Sequence, residues 1–166
     1  KAVGANLAHK TELGAVKLNL KNRVQLEEAA VALFALSDTL LAEQMVQDAV
    51  VELIIGINTD PLFGQYLVLG AGGILVDVLQ DAQSVLLPTD KYEVKRVLSH
   101  LKCAPILMGY RGQAAADLDA IVDAVMAVLD YSQKMPVFEL DINPLLALKR
   151  GAVAVDALIQ LGQQKP

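Results

Sequence analysis

The stretch from Pro136 to Asp156 constrains the fold more than any other part of the chain. Val137 to Ile142 is a β-rich run that follows a proline. Leu145 to Leu148 and Ala152 to Val155 flank a Lys149-Arg150-Gly151 turn, a pattern that predicts a hairpin. Within it, Glu139-Leu140-Asp141-Ile142-Asn143-Pro144 is followed by Asp156, thirteen residues after Asn143. One strand thus carries oxygen donors at its end, and the hairpin returns a second carboxylate. Hard cations such as Mg²⁺ take oxygen ligands and hold nucleotide phosphates on their open positions. On spacing alone, a polar turn beside a solvated aspartate is the better reading.

The rest of the chain mixes β runs with helices. Gly14 to Leu20 alternates in strand fashion, and Val24 to Leu36 has helical spacing behind Asn22. Thr39 to Val46 and Val50 to Ile57 read as β runs, and Asn58-Thr59-Asp60-Pro61 as a turn before a strand at Tyr66 to Leu69. Ile74 to Leu79 reads as another strand, and Tyr92 to Leu101 as a helix begun near Thr89-Asp90. Ala114 to Tyr131 is the clearest helix, with Leu118, Ile121, Val122, Val125 and Val128 on one stripe. Neighbouring β runs look antiparallel, so the fold class is α+β.

Composition narrows the function. Hydrophobic residues make up 54% of the 166 but aromatic ones only 4%, with no Trp, so the core must be Val, Leu, Ile and Ala. A formal charge of -5 argues against non-specific nucleic-acid binding, which needs basic surface. The single Cys103 allows no internal disulfide and no cysteine-based metal site, which fits a reducing cytoplasm. The longest apolar stretches, Ala29 to Leu36 and Leu67 to Leu79 with Asp77 inside it, fall short of the roughly 20 residues of a membrane helix. No signal peptide leads the chain. Its abrupt start at Lys1-Ala2-Val3 suggests a fragment of a longer protein.

Five further segments carry chemistry. His9-Lys10-Thr11-Glu12-Leu13-Gly14-Ala15-Val16 sets an imidazole, a competent phosphoryl nucleophile, beside a lysine; a surface loop histidine is the plain alternative. Gly70-Ala71-Gly72-Gly73-Ile74 lets backbone amides approach an anion, or simply makes a tight turn. Leu40 to Val46 and Glu52-Leu53-Ile54-Ile55-Gly56 are β-like runs whose Glu43 and Glu52 are either functional or water-facing. Gly109-Tyr110-Arg111-Gly112 offers an arginine for a phosphate or for a carboxylate that fixes its loop.

In this order, these segments resemble the ATP-grasp domain of ADP-forming acyl-CoA synthetases, the acetate–CoA ligase and succinyl-CoA ligase superfamily. "ELDINPL…GAVAVDALI" resembles its metal signature, which implies Asn143 and Asp156 as Mg²⁺ ligands with Asp141 near the metal. "HKTELGAV" is similar to "HKSDxGGV", with Glu12 and Ala15 as departures, and implies His9 as a relay that passes phosphate between a distant histidine and ADP. "LLAEQMV" resembles the hinge that binds adenine through backbone groups at Glu43, Gln44, Met45 and Val46. "ELIIGINTDPLFG" implies Glu52 near the ribose, and the Gly72-Gly73 loop near the transferred phosphoryl group. Lys1 matches a phosphate-contacting lysine, with Lys10 a weaker candidate for the same field.

The resemblance covers essentially the whole chain. It implies residues 1–46 as part of the N-terminal lid subdomain and 47–166 as the larger C-terminal subdomain. It also implies ATP or ADP with Mg²⁺, and CoA bound by domains that the chain lacks. Those CoA-binding and ligase domains and the nucleotide are the implied partners. Apolar surface exposed on a partial domain adds a second copy in a homodimer, while the charge and the short apolar stretches point to neither nucleic acid nor membrane. The family reaction is carboxylate + CoA + ATP ⇌ acyl-CoA + ADP + phosphate, and the isolated chain is expected to be inactive. The alternative is a non-catalytic sensing or scaffolding domain of a protein acetyltransferase.

Overall fold

A computed structural model describes residues 1–4, 13–73 and 80–162. The chain divides into two compact units, Lys1–Gln47 and Asp48–Pro166.

In the first unit, helix α1 (Arg23–Phe34) starts at Asn22, whose side chain accepts the Gln25 N–H at 3.0 Å while Gln25 accepts the Lys21 N–H at 2.8 Å. The first bond satisfies a donor that a bare helix start leaves open, and the second fixes the chain that enters the helix. Lys1 to Val3 lie against 39–41: Leu41 N–H donates to the Lys1 carbonyl at 2.8 Å and Val3 N–H to that of Thr39 at 2.9 Å. Beneath them Ala2, Ala15 and Leu33 form a small core with Leu40 packed on it. The expected strands at Gly14 to Leu20 and Thr39 to Val46 are absent. A strand exists only through a ladder, and among the described residues these segments make one isolated bridge, Ala2 to Leu40.

The second unit is an antiparallel sheet with helices on one face. β1 (Val51–Asp60) turns into β2 (Gly64–Ala71), where Asp60 Oδ1 accepts from the N–H groups of Leu62 at 2.7 Å and Phe63 at 2.9 Å. The strand thus takes in Asn58 to Asp60 of the predicted turn, and the reversal comes at 61–63. β3 (Ala82–Leu86) pairs with β2, and β4 (Val137–Ala147) with β1, β5 (Ala152–Ala154) and β6 (Ala157–Leu161). β3 and β6 carry no sequence pattern that predicts them, and the predicted strand at Ile74 to Leu79 lies outside the described residues. Helices α2 (Lys91–His100), α3 (Ala104–Leu107) and α4 (Leu118–Lys134) complete the unit.

Alternation sorts the sheet into faces. Leu53, Ile55 and Ile57 of β1, Leu67 and Leu69 of β2, and Leu140 and Ile142 of β4 are buried with Val94, Val97 and Leu98 of α2 and Ile121, Val122 and Val125 of α4. As expected from the composition, this core is aliphatic.

α4 begins at Leu118, four residues later than its alanine content predicts. Ala116 N–H donates to the Leu107 carbonyl and Asp117 N–H to that of Leu148, both at 2.8 Å, so tertiary bonds hold this stretch extended. Asp117 caps the helix by accepting from Ala120 N–H at 3.1 Å, and its other oxygen accepts from Gly151 N–H at 2.9 Å, in the β4–β5 turn. A second carboxylate, Asp81, is only 4% exposed and accepts from the N–H groups of Lys102 at 2.8 Å and Cys103 at 2.9 Å.

Asp81→Ala strands two inward-facing donors, and should lower the unfolding free energy by about 2 kcal/mol or more. Asp81→Asn keeps one acceptor and should fall between variant and wild type in a urea titration. For Asp117, the hydrogen bond from Gly151, then that from Ala120, hold the carboxyl below its ordinary range. Its stabilisation is therefore present above the ordinary aspartate pKa and lost as pH falls through the lowered native value. The melting-temperature gap between wild type and Asp117→Asn should narrow over that acidic window.

Candidate functional site

The face of the sheet away from the helices carries the predicted ligands. Along β4, Leu140 and Ile142 point into the core while Glu139 and Asp141 take the opposite face and Asn143 is exposed. Beyond Asn143 the phase changes, because Leu145 is again in the core. The β1 partners explain this: Leu53 lies opposite Leu145, but Ile55 lies opposite Ile142, so β4 holds one residue more than β1 between them. Pro144 sits in this bulge and has no N–H to offer a ladder.

The bulge sets Asn143 beside the kink between β5 and β6. Asn143 N–H donates to the Asp156 carbonyl at 3.3 Å, Val155 N–H donates to the Pro144 carbonyl at 3.2 Å, and Ile142 pairs with Ala157. Asn143 and Asp156 are therefore neighbours on adjacent segments. Asp156 ends no strand, however: the chain bends there and pairs again with β4.

Asp141 joins them. Burial first, then the charges of Glu139 and Asp156, hold its carboxyl above the ordinary range. Sequence reasoning missed Glu139, although its two-residue spacing from Asp141 puts both on one face. Among the described residues, no three His, Cys, Asp or Glu side chains group tightly enough to hold a metal alone. Magnesium asks for less, namely one or two carboxylates and substrate phosphates around a hard ion. The amide oxygen of Asn143 and the carboxylate of Asp156 fit that donor set, and the surplus negative charge around Asp141 favours a cation.

Glu52 opens β1 on the same face, half-buried, opposite Leu146. Gly72 and Gly73 lie directly over it, with Gly72 N–H donating to the Glu52 carbonyl at 2.7 Å. A Cβ on Gly72 would come within 3.0 Å of Leu53 backbone atoms and 3.1 Å of the Glu52 carbonyl carbon. The glycine loop is thus a close backbone approach to β1.

The other predicted residues are placed as follows. In the first unit, Lys1 Nζ pairs with Glu43 Oε2 at 2.8 Å, which ties the lysine to the expected hinge. Gln44 and Met45 are exposed and Val46 is half-buried. His9 and Lys10 lie outside the described residues. Arg111 stands at a φ of 49°, its guanidinium 5.3 Å from the Tyr110 ring centroid, so cation–π stacking braces its loop, and among the described residues no carboxylate pairs with it.

The sheet, its overlying helices and this oxygen-rich strand end define the class, and comparison with known proteins agrees. Residues 1–161 match the ATP-grasp domain family, and the chain belongs to it. It is 34% identical over 174 residues to acetate–CoA ligase (ADP-forming) I of Archaeoglobus fulgidus, covering 99% of this chain and 25% of that protein. With the beta subunit of acetate–CoA ligase (ADP-forming) I of Pyrococcus furiosus it shares 30% identity over 166 residues, covering 95% of this chain and 72% of the subunit. A structure of the dinucleotide-forming acetyl-coenzyme A synthetase 1 of Ca. Korarchaeum cryptofilum matches with a TM-score of 0.85 at 29% identity, over 98% of this chain and 75% of that one. That protein was in complex with coenzyme A and Mg-AMPPCP, its phosphohistidine segment pointing towards the nucleotide-binding site.

Gly72→Ala should cost about 1–3 kcal/mol, because backbone on both sides of the new methyl has no room to yield. Thermal unfolding of the variant checks this; an unchanged midpoint would mean that the loop does not rest on β1.

Proposed function

We propose that this chain is the nucleotide-binding part of an ADP-forming acyl-CoA synthetase. The reaction is carboxylate + CoA + ATP ⇌ acyl-CoA + ADP + phosphate. The observation that carries the reading is the juxtaposition of Asn143 and Asp156 across the β4 bulge, with Asp141 beside them. Asn143 and Asp156 hold the magnesium ion, which when bound neutralises the nucleotide phosphates. Glu43, Gln44, Met45 and Val46 receive the adenine, Glu52 the ribose hydroxyls, and Lys1 the phosphates.

His9 is the phosphoryl acceptor in this reading, by its motif. A P–O bond of ATP breaks as an N–P bond to the imidazole forms, and ADP leaves; the phosphoryl group then passes to the histidine of another domain. Such chemistry depends on alignment and charge neutralisation more than on a protein acid or base. Because the chain spans about a quarter of the single-chain relative, CoA and acyl binding belong to domains outside it. Self-association is a further partner reading. No helix among the described residues is long and apolar enough to cross a membrane, and a cytoplasmic setting suits the single thiol.

Calorimetric titration of the intact protein with Mg-ATP tests the metal assignment. Asn143→Ala and Asp156→Ala should each weaken binding about tenfold or more, the equivalent of ~1.4 kcal/mol. Binding by both variants at wild-type strength would sink the assignment.

A further inference from the structure

Gly73 is held at a φ of +58°, in the left-handed region that glycine enters without strain. A Cβ built on it would overlap the Glu52 Oε2 oxygen and lie 2.9 Å from the Glu52 carboxyl carbon. The space that a side chain would occupy at position 73 is therefore filled by the Glu52 carboxylate. The peptide before it is clamped as well, since Gly72 N–H donates to the Glu52 carbonyl at 2.7 Å. Main chain and side chain of Glu52 thus both meet the same two-glycine turn.

Glu52 is half-buried, yet among the described residues no donor reaches its carboxylate. A carboxylate partly withdrawn from water and left without donors is costly unless something else supplies them. A pair of vicinal hydroxyls is a donor set matched to two carboxylate oxygens. The position of the carboxylate then matters as much as its charge, and here the packing of Gly73 sets that position.

We propose that Gly73 is a positioning residue for sugar recognition: by lacking a side chain, it seats the Glu52 carboxylate where the ribose hydroxyls of a nucleotide donate to it. The inference rests on the nucleotide-binding reading and adds to it a cause for ribose over deoxyribose selectivity. A methyl at position 73 meets the far end of a flexible side chain, so Glu52 swings aside while the strand beneath stays in place. Selectivity is lost and the metal-dependent part of binding remains.

The test compares Mg-ATP with Mg-complexed 2′-deoxy-ATP and 3′-deoxy-ATP on the intact protein, for wild type, Gly73→Ala and Glu52→Asp. A lost hydrogen bond to a charged group corresponds to roughly 10-fold to 100-fold in affinity. The wild type should prefer ATP over at least one analogue by roughly 10-fold or more. Gly73→Ala should reduce that preference to about 2-fold or less. Glu52→Asp withdraws the carboxylate by one methylene without touching the glycine, and should do the same even where Gly73→Ala folds poorly. Either variant keeping the wild-type preference overturns the proposal, as does a wild type that binds all three nucleotides alike. A wild type that binds none overturns the nucleotide-binding reading itself, and a merely structural Gly73 would change all three affinities together.

Discussion

The extra residue in β4 at Asn143-Pro144 is the constraint on which the site depends. A strand in unbroken register would carry Leu145 to the same face as Asp141 and Asn143, stripping the core of a leucine buried to 2% exposure. The bulge resets the phase, so the strand buries Leu140 and Ile142 before it and Leu145 and Ala147 after it while still presenting polar groups between. β4 is also the strand that pairs with three others, and its partner on the outer side changes at this point from β6 to β5. The oxygen donors thus lie where the pairing must break, a common place for functional bulges.

Much of this was legible in the sequence. β-rich runs marked β1, β2 and β4, the Lys149-Arg150-Gly151 turn marked the β4–β5 reversal, and Asn22 and Asp90 marked the starts of α1 and α2. What failed was decided by partners distant in sequence. Thr39 to Val46 has β composition but no ladder among the described residues. β3 is a run of largely exposed, partly polar residues, and its pairing with β2 rather than its own pattern makes it a strand. β6 lies beyond the hairpin that the turn predicts, because nothing local announces that the chain will bend at Asp156 and pair again with β4. Glu52 and the glycines were picked out separately, but their contact belongs to register: β2 ends beside the start of β1.

Two buried or half-buried carboxylates keep the helices aligned with this machinery. Asp117 joins the start of α4 to the β4–β5 turn, so the segment that returns to Asp156 is anchored to the helical layer. Asp81 gathers the chain after α2 in the same way, and Ala71 N–H donates to its carbonyl at 2.9 Å, just ahead of the glycine turn. Neither residue belongs to a motif. Both act as N–H acceptors where the backbone leaves regular structure and would otherwise be unsatisfied.

Cys103 lies 1% exposed between the Asp81 carboxylate and the core, and burial followed by that negative charge pushes its thiol up to about 12. Only the thiolate attacks electrophiles, and the chain has no second sulfhydryl. Thiol-selective reagents consequently find no reactive target until α2 and α3 part from the sheet. The rate of covalent labelling therefore reads the opening of this one region directly, against a silent background.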